Sequence, residues 1–145
     1  MRRILVADSD PHVLFLCRDE LQEEGYEVLV ASNAKEALGL LDENCPDLVV
    51  LEILLPDMSG FETVSIIKGT CRHTPVIFHS TYGLPQSPCH CAVDGVVLKS
   101  HNLDHLKKVV QGLLSSRRSQ DTCGKRRGRS LAQRRREGHN GINGN

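Results

Sequence analysis

Three acids, three hydroxyls and one lysine stand at or just past the ends of short apolar runs in this 145-residue chain. Asp8, Ser9 and Asp10 follow Ile4-Leu5-Val6-Ala7, and Glu52 follows Leu48-Val49-Val50-Leu51. Ser80 and Thr81 come after Pro75-Val76-Ile77-Phe78, and Lys99 follows Val96-Val97-Leu98. Carboxylates are the ligands a hard cation such as Mg²⁺ prefers, while an ammonium and a hydroxyl grip anionic oxygens. These residues can act together only if the chain brings the ends of all four runs to one edge.

The patterning between them supplies such a frame. Residues 3–7 read as a buried strand, and Asp10-Pro11 as a helix cap with its first-turn proline. Val13, Leu14, Leu16, Cys17 and Leu21 then recur at helical spacing up to Glu24, and Gly25 stops the helix. The unit repeats as a strand over 26–31, a helix from Ala34 capped by Ser32 or Asn33, and a strand over 47–51. A loop with Pro56 and Gly60 leads to a helix through Phe61, Val64, Ile66 and Ile67, then a strand over 75–78. Between 84 and 92 the prolines allow only a short helix, starting at Pro88. A strand over 96–98 and a helix behind Asn102, carrying Leu103, Leu106, Val109, Val110, Leu113 and Leu114, complete the pattern. Alternating strands and helices with near-continuous apolar strands predict an α/β fold, a doubly wound five-stranded parallel sheet with helices on both faces. In such sheets ligands collect at the carboxyl ends of the strands, near the point where strand order reverses. The acids, hydroxyls and lysine all fall there.

Length and composition set the outer limits. The chain suits one domain, and its 39% apolar content excludes a wholly disordered or collagen-like polymer. No stretch approaches the ~20 apolar residues that cross a bilayer, and the apolar run at the start is too short for a signal peptide, which predicts a cytoplasmic protein. Six cysteines without an export signal are expected as reduced thiols. The zero net charge is an average over unlike parts. Residues 1–114 carry nine Lys or Arg against sixteen Asp or Glu, a net −7, whereas residues 115–145 carry nine against two, a net +7. With only Cys123, Leu131, Ala132 and Ile142 apolar beyond Ser115, the basic tail is expected to be disordered, leaving residues 1–114 as the domain.

Four motifs occur in order: Ile4-Leu5-Val6-Ala7-Asp8-Ser9-Asp10-Pro11; Asp47-Leu48-Val49-Val50-Leu51-Glu52-Ile53-Leu54-Leu55-Pro56-Asp57-Met58-Ser59-Gly60; Pro75-Val76-Ile77-Phe78-His79-Ser80; and Lys99. In these, residues 3–114 resemble the receiver domain of two-component response regulators, over about 112 of the 145 residues. The Lys99-Ser100 pair resembles a receiver subgroup with Lys-Ser where most members have Lys-Pro. The resemblance implies a flavodoxin-like sheet of strand order 2-1-3-4-5. It also implies a non-enzymatic signalling module that acts on protein partners, a histidine kinase or a downstream target, through its fourth helix, fifth strand and fifth helix. In that family an aspartate accepts a phosphoryl group from a histidine kinase, carboxylates hold Mg²⁺, and a lysine and a hydroxyl grip the phosphoryl oxygens.

Only part of that set is kept. Lys99 matches the lysine, Ser80 the switch hydroxyl and Asp8 the first of the paired acids, whereas Ser9 replaces the second acid and Glu52 the acceptor aspartate. Ser9 brings no anionic oxygen, so Asp8 and Glu52 would hold Mg²⁺ weakly at best, and Asp10 is expected to cap its helix. Glu52 is one methylene too long for in-line transfer, which predicts no productive phosphorylation. Its carboxylate could instead reach Lys99, and Ser80 with it, as a built-in ion pair where a phosphoryl group would lie; the other reading is a relic in a scaffold that no longer switches.

Two further features carry chemistry of their own. Cys89-His90-Cys91, with Cys71, His73 and His79 elsewhere, offers zinc-type ligands, but Cys-x-Cys lacks the usual two-to-four-residue gap, so no bound metal is expected. Lys125-Arg126-Arg127-Gly128-Arg129 and Arg134-Arg135-Arg136 can attract a nucleic-acid backbone or an anionic membrane surface. The tail has no aromatic residue to stack on bases, so such contact would be non-specific and salt-sensitive.

Overall fold

Strands that are apolar on both faces are stable only between two layers of helix. The computed structural model, which describes residues 1–81 and 93–117, has that arrangement. In chain order the elements are β1 (Arg3–Ala7), α1 (Pro11–Glu23), β2 (Glu27–Ala31), α2 (Ala34–Asn44), β3 (Leu48–Leu51), α3 (Gly60–Thr70), β4 (Val76–Ser80), β5 (Gly95–Leu98) and α4 (Asp104–Arg117). The strands form one parallel sheet in the order β2-β1-β3-β4-β5, with the reversal between β1 and β3.

Alternation along each strand divides the core in two. Leu5, Ala7, Val49, Leu51, Val76 and Phe78 pack with Ala34, Ala37 and Leu41 of α2 and Val64 and Ile67 of α3. Ile4, Val6, Leu48, Val50, Ile77 and Val97 pack on the other face with Cys17 and Leu21 of α1 and Leu106 and Val110 of α4. The helices start where local chemistry dictates. Asp10 accepts from the His12 amide, Asn33 rather than Ser32 caps α2 by accepting from Glu36, and Ser59 accepts from Glu62. Gly25 adopts φ +96°, the left-handed residue needed after α1.

One difference from the sequence pattern bears on the site. β4 continues past Phe78 through His79 and Ser80, because these two pair with Val97 and Leu98 of β5. Ser80 is therefore part of the ladder and not of the loop beyond it. The short helix expected from Pro88, Cys89-His90-Cys91 and the tail from residue 118 lie outside the described residues.

The loop after β3 is fastened at several points. Asp57 accepts from the amides of Ala34 and Lys35, at 2.8 and 2.9 Å, so this loop supplies a second cap to α2. The Gly60 amide donates to the Ile53 carbonyl at 2.6 Å, and a Cβ at Gly60 would lie 2.7 Å from Ile53 Cα and 2.8 Å from the Glu52 carbonyl oxygen. Backbone cannot yield as a flexible side chain can. Gly60→Ala is therefore expected to cost about 1–3 kcal/mol in chemical denaturation and to shift the Glu52 and Ile53 amide resonances; a cost under about 0.5 kcal/mol would show that the loop relaxes freely.

Candidate functional site

Sheet register builds the site. Ala7 pairs with Leu51, and Leu51 with Phe78, so the next residues, Asp8 just past β1, Glu52 just past β3 and His79 in β4, stand side by side. They share the pleat parity of Val6, Val50 and Ile77, and so the α1–α4 face of the sheet. Three of the site residues are held by backbone bonds at the sheet's carboxyl edge. Asp8 donates to Ala31, Glu52 to Ala7, and Lys99 to Ser80. Positions far apart in sequence thus become one row.

Lys99 closes the row from the end of β5. Its Nζ lies 2.7 Å from Asp8 Oδ2 and also forms an ion pair with Glu52 Oε1. The other Asp8 oxygen accepts from the Asp10 amide at 2.9 Å, and the other Glu52 oxygen from the Leu54 amide at 3.1 Å. The Asp8 and Glu52 side chains are only 3% and 9% exposed, so the triad is nearly dry and carries a net −1. Burial by itself would raise the Glu52 carboxyl, but the Lys99 ammonium and the amides of Leu54 and Ile53 outweigh it and hold Glu52 below its usual range. Burial likewise works against the Lys99 charge, and its bonds to Asp8 and Glu52 overcome it, leaving Lys99 more basic than a free lysine.

The other sequence candidates fall around this triad. Ser80 is buried beside it and anchors Lys99 through its carbonyl, whereas Ser9 is exposed. Asp10 is exposed and spends its carboxylate on the His12 amide as a helix cap. The donor set is a poor one for Mg²⁺. Both Asp8 and Glu52 direct an oxygen at the Lys99 ammonium, Ser9 supplies no third carboxylate, and no group of three metal-ligating side chains occurs among the described residues. A weakly held magnesium at Asp8 and Glu52 would therefore compete with the Lys99 ammonium for the same oxygens. Cys71, His73 and His79 form no metal-ligating cluster among the described residues.

His79 was legible in sequence only as a distant zinc ligand. The structure puts it in the row with Glu52, 3% exposed, with neither ring nitrogen meeting a hydrogen-bond partner among the described residues. The available signal was an imidazole inside an apolar strand, two positions after Ile77 and thus on the same face.

This fold, with acids at the ends of its first and third strands and a lysine after the fifth, matches one family. Residues 4–111 match the response regulator receiver domain, and the chain belongs to that family. Response regulator TrrA of Thermotoga maritima, solved in complex with Mg²⁺–BeF, is 39% identical with a TM-score of 0.74, over 78% of this chain and 99% of that one. The same regulator solved in complex with histidine kinase ThkA gives 38% identity and a TM-score of 0.70, over 79% and 99% of the two chains. Transcriptional regulatory protein TrcR of Mycobacterium tuberculosis is 31% identical over 115 residues, 77% of this chain and 45% of that protein. The chain spans about half the length of the curated relatives it matches. Among the described residues, no helix is long and apolar enough to cross a membrane.

Proposed function

We propose that this receiver acts in two-component signalling by binding partner proteins, independently of phosphorylation and without enzymatic activity. The observation that carries the reading is the Lys99 ammonium held between Glu52 and Asp8 in a nearly dry pocket. A carboxylate already paired to that lysine places negative charge where a phosphoryl group would bring it, and needs no donor. Glu52 is also a poor acceptor. Its oxygens are engaged by Lys99 and the Leu54 amide, and lengthening a carboxylate by one methylene moves it out of line with a donor. The partner class follows from the relative solved with its histidine kinase and from the TrcR match, which together favour a kinase or a downstream regulator. In this reading residues 1–114 form the interacting domain and the +7 tail is a separate charged extension.

Intact-mass spectrometry after incubation with acetyl phosphate and Mg²⁺ tests this, comparing wild type with Glu52→Asp. The expected result is no adduct on wild type and a labile phosphoryl adduct on Glu52→Asp, since shortening the side chain frees Lys99 and restores the acceptor geometry. An adduct on wild type overturns phosphorylation independence. An adduct on neither protein would mean a scaffold whose pocket no longer switches.

A further inference from the structure

We propose that His79 is a proton sensor for this site, its buried imidazole taking up a proton in mildly acidic conditions and drawing Glu52 and Asp8 away from Lys99. The proposal rests on the reading of Glu52 and Lys99 as a built-in pair, and it names the input that would reset that pair.

Placement is the first argument. Register sets His79 beside Glu52 on the neighbouring strand, with Asp8 one strand further on and Val97 on its other side. Adjacent parallel strands lie about 5 Å apart, within reach of an imidazole and a glutamate carboxylate after small rotamer changes. A second argument is the orphaned ring. A neutral imidazole buried without a partner forfeits two hydrogen bonds to water, an arrangement that costs stability and calls for an explanation.

Charge balance supplies the third argument. With His79 neutral, Asp8, Glu52 and Lys99 sum to −1; a proton on His79 brings the cluster to zero and turns both ring nitrogens into donors in the field of two carboxylates. Among the described residues, no charged group beyond Lys99, Asp8 and Glu52 acts on His79. On this face α1 contributes Cys17, whose thiol burial pushes up to about 12, and α4 contributes Leu103, Leu106 and Val110. Lys99 opposes protonation and Asp8 and Glu52 favour it, while burial is the largest influence and holds His79 below an ordinary histidine. Protonation therefore requires Lys99 to yield. A cavity of about 490 Å³ beside Lys99, bordered by His12, Thr81 and His101, gives its ammonium somewhere to go.

The sign follows from the lowered value. The contribution of neutral His79 is fully present above about pH 6.5, the unfolded value, and is lost as pH falls toward the lower folded value. Nuclear magnetic resonance of the full chain, titrated from about pH 8 to about pH 5, reads both ends of the coupling. The His79 ring nitrogens and the amides of Glu52, Leu54 and Lys99 are expected to move with one shared midpoint below 6.5. Over the same range the folded-to-unfolded ratio of wild type should fall by up to about tenfold per pH unit. His79→Leu should abolish the shared transition and flatten the stability profile, whereas His12→Gln with His101→Gln should leave both unchanged. His79→Gln serves as the second variant if leucine prevents folding. The proposal is overturned if the Glu52 and Lys99 amides stay still while His79 titrates, if His79 does not titrate, or if the transition survives in both His79 variants. Failure of the underlying reading looks different: Glu52→Gln would leave the Lys99 side-chain signal unmoved at pH 8, whatever His79 does.

Discussion

Lys99→Met is expected to destabilise the fold by about 3–5 kcal/mol at neutral pH, measured by urea denaturation. The substitution keeps the aliphatic stem and removes the ammonium, so the buried Asp8 and Glu52 carboxylates lose their common partner and repel each other. Breaking a buried pair from one side is costly because the surviving charges keep their desolvation penalty. The pH dependence gives the effect its signature. Glu52 is held below its ordinary 4.5 in the fold, so the stability it contributes is present above that value and is lost as pH falls through the lower folded value. In Lys99→Met the Glu52 carboxylate protonates more readily, and the gap to wild type should narrow as pH falls through 4.5. Lys99→Met combined with Glu52→Gln should be more stable than the sum of the single changes, by about 0.5–3 kcal/mol. A single-variant loss below about 0.5 kcal/mol would mean that the triad contributes nothing to the fold.

Phe78→Ala, on β4 and the opposite face of the sheet, is expected to cost a further large amount, about 3–5 kcal/mol. Phe78 is fully buried and meets the Phe61 ring of α3 edge to face, with centroids 5.3 Å apart and planes at 78°. Its removal leaves a cavity under the row that carries Glu52 and His79, where close-packed neighbours relax only in part. Phe61→Leu should cost less, because Phe61 is only partly buried and loses chiefly the aromatic edge contact. Equal costs for the two would show that the ring pair, not the buried volume, holds this layer together.

The large effect assigned to Lys99 contrasts with the small effect of the salt bridges on the rim. Lys107 meets Glu20 and Glu24, joining α4 to α1, but these groups are partly exposed and screened by water and salt. Burial, not the number of ion pairs, makes the Asp8–Lys99–Glu52 triad consequential. It also makes the pocket selective: a metal ion would have to displace an ammonium that two carboxylates already hold.

Much of the fold was legible because its signals are local. Apolar runs such as Ile4-Leu5-Val6-Ala7 name buried strands, Asp10-Pro11 names a helix start, and strict alternation of strand and helix requires a parallel sheet with both faces covered. The departures at Ser9 and Glu52 were equally open to inspection, since they concern residue type alone. The sequence by itself therefore determined the architecture, the edge on which the chemistry gathers and the glutamate that stands after the third strand. Tertiary structure decided the rest, because ion pairing and burial depend on distances between residues remote in the chain. Only the β1-β3-β4-β5 register brings Asp8, Glu52, His79 and Lys99 within reach of one another, extends β4 through Ser80, and turns an isolated strand histidine into the neighbour of a buried carboxylate.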